Sequence, residues 1–417
     1  MKHASIRKTY LHLAKTFFLS IGHEAGHRLH VAIGALRNTA VEIMCRIRPL
    51  VEHDLADVAL LYSKVYMDTL RSSSDALQSY FREVLLQNPW SDMNLPSWVY
   101  EDHGRIVGVI GIIPRRMSFE GKPLRMAVGC SLFVDPEYRN TLAGFYLMRK
   151  FMAGPQDVTL IDGPSRIVQR IWQRLGGEVL PFHNLRWLRP LRPARTLLGL
   201  YARAHSGKSG TNMRPRAGFY LGGLLCDCVD LAAMHLIPRP KPPAADLEAQ
   251  PLDAPILLSC LSEFREHYRF RPEYDLCELR WLLDQLERKK RYGPLQKVVI
   301  RCARRGIVGW YLYYLNSTEF CEVLQIGARA DAIEEVLDHL FDHARRRGAA
   351  ALHGRVEPRL AEALSDQGCI FHGRASNILL HTRNPEARAA VLSGDGLLTR
   401  VEGEWWLRFT GETLDKN

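Results

Sequence analysis

The sequence has no run of about 18 consecutive apolar residues, so no segment is long enough to cross a bilayer as a helix. Its start, Met1 to Leu19, is basic and only partly apolar. Lys15 and the histidines interrupt it, and no small-residue cleavage site follows, so it makes a poor secretion signal. A disulfide framework is also missing. The nine cysteines are odd in number and scattered, mostly inside apolar runs, as buried reduced thiols are. Cys226 and Cys228 form a lone C-x-C with no second pair or histidines at zinc-site spacing. There is no zinc finger, RNP-like aromatic strand or recognition helix, so no specific nucleic-acid partner is expected. A cytoplasmic chain without a structural metal is the expectation.

What is present is a globular composition, 47% hydrophobic over 417 residues, enough for two domains that each bury a core. The net charge of +11 is concentrated. Residues 1–43 carry six Lys/Arg against two acids, and residues 189–243 carry nine against two. Basic charge outside the folded cores suits an anionic partner, and peripheral membrane contact through the insert is one expectation. A solvated linker is the other.

The hydrophobic period divides the chain. Residues 1–43 read as a basic helical extension. A first domain, 44–188, opens with a strand at Cys45–Pro49 and a helix capped by Asp54. A second helix starts at Ser74 or Asp75. An antiparallel meander follows, turning at His103-Gly104 and Glu120-Gly121. A strand-to-helix junction then spans Asp135 to Gly144. Next come a buried strand at Val158–Ile161, a helix at Arg166–Leu175, and the last strand material between Val179 and Leu188. Residues 189–245 are a basic, Pro- and Gly-rich insert with an apolar helix over Ala217–Ile237. From 246 to 383 the same element order returns, ending in a strand at Ser376–Thr382, and 384–417 is a C-terminal segment. The fold class is α/β (α+β): two tandem mixed-sheet domains.

This order, together with Leu132-Phe-Val-Asp-Pro-Glu-Tyr-Arg139 and the helix start Arg139-Asn140-Thr141-Leu142-Ala143-Gly144, resembles the GNAT N-acetyltransferase superfamily. Those proteins place V-x-P-x-x-R and then Q/R-x-x-G-x-G/A at this junction. Here the middle glycine is Leu142. The resemblance implies acyl-CoA, acetyl-CoA or another, as co-substrate, held by Phe133, Val134, Arg139, Asn140, Thr141, Leu142, Ala143 and Gly144. Independently of the family, a helix N-terminus offers unpaired N–H groups and the positive end of a dipole to a pyrophosphate, and small residues let it approach. The matching junction of the second domain, Ile326 to Ile333, has no glycine opening its helix. Asp331 would cap that helix and repel phosphate, so the second domain is expected not to bind the cofactor.

The resemblance also implies direct attack of an amine on the thioester, with a base, a backbone oxyanion donor, and often a tyrosine that protonates the thiolate. The tyrosine's position is Trp172 in the first domain and Leu364 in the second, neither of which has such a proton. For the base, Asp162, Glu101 and Glu137 stand at strand ends or junctions. His23-Glu24-Ala25-Gly26-His27 fits H-E-x-x-H, but Gly22 and Gly26 weaken the helix it needs and no third ligand is evident. Trp405-Trp406-Leu-Arg-Phe could stack on a sugar, or pack into the core as a final strand. The expected function is acyl transfer from acyl-CoA to an amine, such as an amino sugar or polysaccharide precursor. The alternatives are a peptidoglycan-bridge-type transferase using aminoacyl-tRNA and a non-catalytic binding protein.

Overall fold

A computed structural model describes residues 45–66, 74–180, 182–206, 229–230, 246–316, 320–373, 378–407 and 409. The basic extension with His23 and His27, the pair Cys226 and Cys228, and all of Ala217–Ile237 except Val229 and Asp230 lie outside the described residues. Among the described residues no helix is long and apolar enough to cross a membrane.

The first half forms β1 (Cys45–Pro49), α1 (Leu55–Tyr66), α2 (Ser74–Phe81), β2 (Trp98–Asp102), β3 (Arg105–Phe119), β4 (Lys122–Val134), α3 (Ala143–Met152), β5 (Val158–Asp162), α4 (Arg166–Arg174), β6 (Glu178–Val179) and β7 (Arg186–Pro190). Then come α5 (Pro193–Ser206), β8 (Leu247–Pro251), α6 (Ala254–Glu263), β9 (Phe270–Pro272) and α7 (Leu276–Glu287). The second half closes with β10 (Leu295–Cys302), β11 (Gly306–Tyr314), β12 (Cys321–Ala328), α8 (Ile333–Arg346), β13 (Ala351–Arg355), α9 (Ala361–Asp366), β14 (Ile370–His372), β15 (Ile378–Thr382) and α10 (Pro385–Ser393).

The two hairpin turns form as their residues suggest. His103 and Gly104 have φ of 49° and 75°, and Glu120 and Gly121 have 52° and 79°. Two left-handed residues in a row match the twist of the flanking strands. Asp54 does not cap α1 from the N-cap position. It lies within a short 3-10 turn, accepting the Val51 N–H at 3.0 Å and pairing with Arg48 at 2.6 Å.

Two mixed sheets result, with orders β1-β2-β3-β4-β5-β15-β6 and β14-β7-β13-β12-β11-β10-β8. Each has one parallel contact, β4 with β5 and β12 with β13. The strands do not respect the 44–188 and 246–383 division. β7, read from sequence as the end of the first domain, pairs with β13 and β14 in the second sheet. β15, read as the end of the second domain, pairs with β5 and β6 in the first. The halves thus exchange a strand. Both exchanged strands are held by packing. Leu379 faces the α3/α4 side, while Ile378 and Leu380 pack with α10 on the other. Trp172 is fully buried and donates its indole N–H to the Leu380 carbonyl at 3.3 Å, so it anchors β15.

A large core lies between the halves, where α1 and α2 meet α6, α7 and the facing strands. The C-terminal segment threads into it. Trp406 is buried and donates to the Val401 carbonyl at 2.8 Å. Residues Trp405–Leu407 form one 3-10 turn, not a strand, and the Trp406 ring is spent on the core rather than exposed for stacking.

Candidate functional site

β4 and β5 run together only over Met126–Gly129 and Val158–Ile161. Beyond that register β4 continues to Val134 paired with β3 but not with β5, leaving a splayed gap. At the same point β4 carries a bulge. Val109 faces Phe133 and Gly111 faces Cys130, so Ser131 and Leu132 oppose Ile110 alone. Ser131 sits at φ 52°, left-handed for a non-glycine residue. Such a conformation costs about 1–3 kcal/mol, and the bulge frees a backbone group from the ladder and re-aims it.

A cavity of about 340 Å³ opens there. One wall is Gly129 to Leu132 of β4 with Ile161, Gly163, Pro164, Ser165 and Val168 from β5 and the start of α4. The opposite wall is Tyr62 and Tyr66 of α1, Tyr80 of α2, and Glu404, Leu407 and Phe409 of the C-terminal segment. Tyr80 donates its hydroxyl to the Leu407 carbonyl. Burial pushes the Tyr80 phenol well up and the Cys130 thiol up, and the nearby Glu404 charge adds to both, so both stay protonated.

The gap leads to the N-terminus of α3. Thr141 Oγ1 accepts the Ala143 N–H at 3.3 Å. Among the described residues no acceptor takes the N–H groups of Gly144 or Phe145. Arg139, Asn140, Thr141 and Leu142 are exposed there, and a Cβ on Gly144 would touch only Val134 Cγ2, at 3.6 Å. The preceding turn is held by Asp135, which accepts the Glu137 N–H at 3.0 Å, Lys64 at 2.9 Å and Arg105 at 2.7 Å. Burial alone would raise the Asp135 carboxyl, but these donors hold it below the usual range.

The three carboxylates chosen from sequence are not brought together. Glu101 pairs with Arg48 at 2.6 Å on the β1–β2 side. Glu137 is exposed and pairs with Lys64 at 2.9 Å. Neither lines the cavity. Asp162 is fully buried and lies 2.6 Å from the Arg355 guanidinium of β13. The carboxylate that does line the cavity, Glu404, was not singled out in the sequence, where only the aromatic run that follows it drew a reading, as a sugar-stacking or core-packed strand. Its neighbours Trp406 and Phe409, large apolar residues at a polar chain end, were the available signal.

The second sheet splays likewise, since β12 and β13 pair only at Cys321 and Glu322. There the gap is filled by the chain itself. The Arg400 N–H bonds the Leu324 carbonyl at 3.2 Å, Gln325 donates to Thr399 Oγ1 at 3.3 Å, and Arg355 donates to the Thr399 carbonyl at 3.4 Å. Arg400 pairs with Glu322 at 2.8 Å. Burial would raise the Glu322 carboxyl, but Arg400, His353 and Arg186 override that and bring it down to about 2. A Cβ on Gly327 would lie 2.2 Å from Trp310, so indole fills the space beside β12. Asp331 does not cap α8. The N-cap is Ala332, and Asp331 pairs with Arg329 at 3.2 Å in the preceding turn. Leu364, like Trp172, is core.

Comparison with known proteins agrees with this geometry. Residues 46–156 match the family model of the acetyltransferase (GNAT) domain. No curated protein matches the chain in sequence. Among solved structures, a GCN5-related N-acetyltransferase from Kribbella flavida is 12% identical, with a TM-score of 0.50 over 83% of this chain and 73% of that one. A GCN5-related N-acetyltransferase from Anabaena variabilis is 11% identical, TM-score 0.53, covering 82% and 74%. A conserved protein of unknown function from Enterococcus faecalis V583, titled a probable N-acyltransferase, is 11% identical, TM-score 0.54, covering 84% and 74%. At these identities the likeness is one of fold. The splayed strands, the bulge and the open helix start all lie within or beside the segment that matches the GNAT acetyltransferase domain, in a chain whose fold is similar to that of these proteins.

Proposed function

We propose that the chain transfers an acyl group, acetyl above all, from acyl-CoA to an amine acceptor, using the first sheet alone. The observation that carries this reading is the β4–β5 gap, with its bulge at Ser131, running to a helix start whose Gly144 and Phe145 N–H groups have no acceptor among the described residues. In this reading the gap receives the pantetheine arm between Phe133, Val134 and the end of β5. The backbone from Arg139 through Asn140, Thr141, Leu142 and Ala143 to Gly144 receives the pyrophosphate, where N–H groups and the helix dipole favour negative charge. The Leu142 side chain, in place of the family's glycine, is 59% exposed. In this reading the backbone at the bulge supplies the oxyanion donor to the thioester carbonyl. Asp162, engaged with Arg355, fits the role of holding the site's wall better than that of a base. The plugged second gap makes one cofactor per chain the natural stoichiometry.

A thermal-shift and calorimetric titration with acetyl-, butyryl- and longer acyl-CoAs tests this. The wild type should gain thermal stability and bind about one equivalent, and Gly144→Trp, which covers the helix start, should lose most of the shift. If no acyl-CoA stabilises the wild type, the reading is wrong.

A further inference from the structure

We infer that a small acidic protein, carrying the acyl group on a phosphopantetheine arm, docks on the exposed cationic face of α3 and α4 and delivers that arm to the gap; this rests on the reading above that the β4–β5 gap receives such an arm. β4 and β5 are parallel and each leads into a helix, so α3 and α4 start at the same end of the sheet. They lie side by side, with the rings of Phe151 and Trp172 6.4 Å apart. Their outer faces carry cations alone. Residues 138–156 contain Arg139, Arg149 and Lys150, and residues 163–177 contain Arg166, Arg170 and Arg174, with no aspartate or glutamate in either stretch. All six are exposed. The acids that bound these stretches are engaged elsewhere. Glu137 pairs with Lys64, Asp162 with Arg355 and Glu178 with Arg388, and Asp157 accepts the Arg125 N–H.

This surface opens on the gap. Ser165 and Val168, at the start of α4, line the cavity. Arg166 follows directly, and Arg166, Arg170 and Arg174 succeed one another at four-residue intervals, a row about 12 Å long on one side of the helix. Ile167, in the first turn of α4, is 69% exposed, and Leu142, at the start of α3, is 59% exposed. A row of guanidinium groups with aliphatic side chains at its head complements an acidic helix, whose carboxylates pair with the arginines and whose apolar residues cover Leu142 and Ile167. A carrier's arm ends in a single phosphodiester, and the N–H groups of Gly144 and Phe145 suffice to receive it. Nucleic acid fits less well, because α4 has no exposed aromatic residue on which a base could stack.

The bonds made and broken are those of transfer from acyl-CoA. The amine nitrogen forms the C–N bond, the thioester C–S bond breaks, and the thiol stays on the carrier's arm with a proton from the amine. The charged face adds speed of encounter, and a contact made mainly of exposed charge lets the spent carrier leave.

The test titrates the full chain with a bacterial acyl carrier protein bearing acetyl-phosphopantetheine, with the same carrier lacking the arm, and with unfractionated tRNA, and follows each by fluorescence anisotropy. The loaded carrier should bind, several-fold more tightly than the carrier without its arm, and its affinity should fall at least about 10-fold between low and physiological salt. Arg166→Glu with Arg170→Glu should weaken carrier binding at least about 10-fold while acetyl-CoA still raises thermal stability as in the wild type. Arg170→Gln alone, a neutral change on the exposed face, should weaken it about 3-fold and serves if the double variant fails to fold. Carrier binding that is absent in the wild type, indifferent to the arm, or equal in wild type and double variant overturns the inference. So does an acetyl-CoA shift that falls along with carrier binding in a folded double variant, which would assign the row to the nucleotide's phosphates, and so does tRNA bound as tightly as the carrier and lost in the same variant. Absence of any acetyl-CoA shift in the wild type would instead overturn the reading of the gap beneath it.

Discussion

Asp162, at the end of β5, and Arg355, at the end of β13, meet at 2.6 Å with both side chains essentially dry, at 0% and 3% exposed. They are the last residues of equivalent strands in the two sheets, so this pair joins the halves at the root of the candidate site. Removing one partner of a buried pair leaves the other charge without compensation, and that costs about 3–5 kcal/mol. Asp162→Asn should therefore lower the unfolding free energy by an amount in that range, read as a fall in the urea midpoint. The double variant Asp162→Leu with Arg355→Met should recover part of the loss, because no charge is then stranded. A midpoint unchanged in Asp162→Asn would mean that the pair is not structural.

The exchange of β7 and β15 makes a second expectation. A fragment ending after β7 retains β5 but lacks β15, so the far edge of β5 and the Trp172 indole lose their partners. A bare, apolar sheet edge is an aggregation template. Residues 45–192 expressed alone should be insoluble or without near-ultraviolet circular dichroism. The full chain should unfold in one transition, since neither sheet is complete without a strand from the other half. Two well-separated calorimetric transitions would contradict this.

Much of the first half was legible because its signals are local. Paired left-handed turn residues, the run Leu132 to Arg139, and the small residues Ala143 and Gly144 each act on their own neighbours. The bulge at Ser131 was not legible, since serine has no preference for positive φ and the extra residue shows only against the register of β3. The strand exchange was hidden for a related reason. β7 and β15 are short runs covered on both faces, and such runs carry no period that names their partner. Asp162 drew attention as an acid at a strand end, but its role depends on Arg355, far away in the chain. Glu404 was missed because the aromatic run after it shows that the segment can pack, but nothing local shows that it threads between the two sheets beside a cavity.

The crossing point also carries a pH dependence. His183 lies in the 3-10 turn Phe182–Asn184, between β6 in one sheet and β7 in the other, and is 3% exposed. Burial drives its imidazole down to about 3, the Arg355 charge pushes the same way, and Asp162 opposes them. Burial, with Arg347 and His339 adding to it, brings His343 down to about 4. In the unfolded chain both titrate near their ordinary value of about 6.5. Above that pH neither state binds the proton, and the contribution to stability is complete. As the pH falls from about 6.5 towards 3, the unfolded state takes up protons that the folded state refuses, so stability declines over that interval. Glu322, held down to about 2, adds its own loss only below the ordinary glutamate range. Burial also lowers His339 and His381, which add to the decline between pH 6.5 and 5, whereas Glu357, pushed up to about 8 by burial, takes up its proton more readily in the folded state and opposes it. His183→Gln should make the histidine contribution to that limb smaller, with His343, His339 and His381 supplying what remains. Urea midpoints measured at half-unit steps from pH 7.5 to 5 will show this, and an unchanged slope in His183→Gln would mean that His183 is protonated or solvated at the crossing.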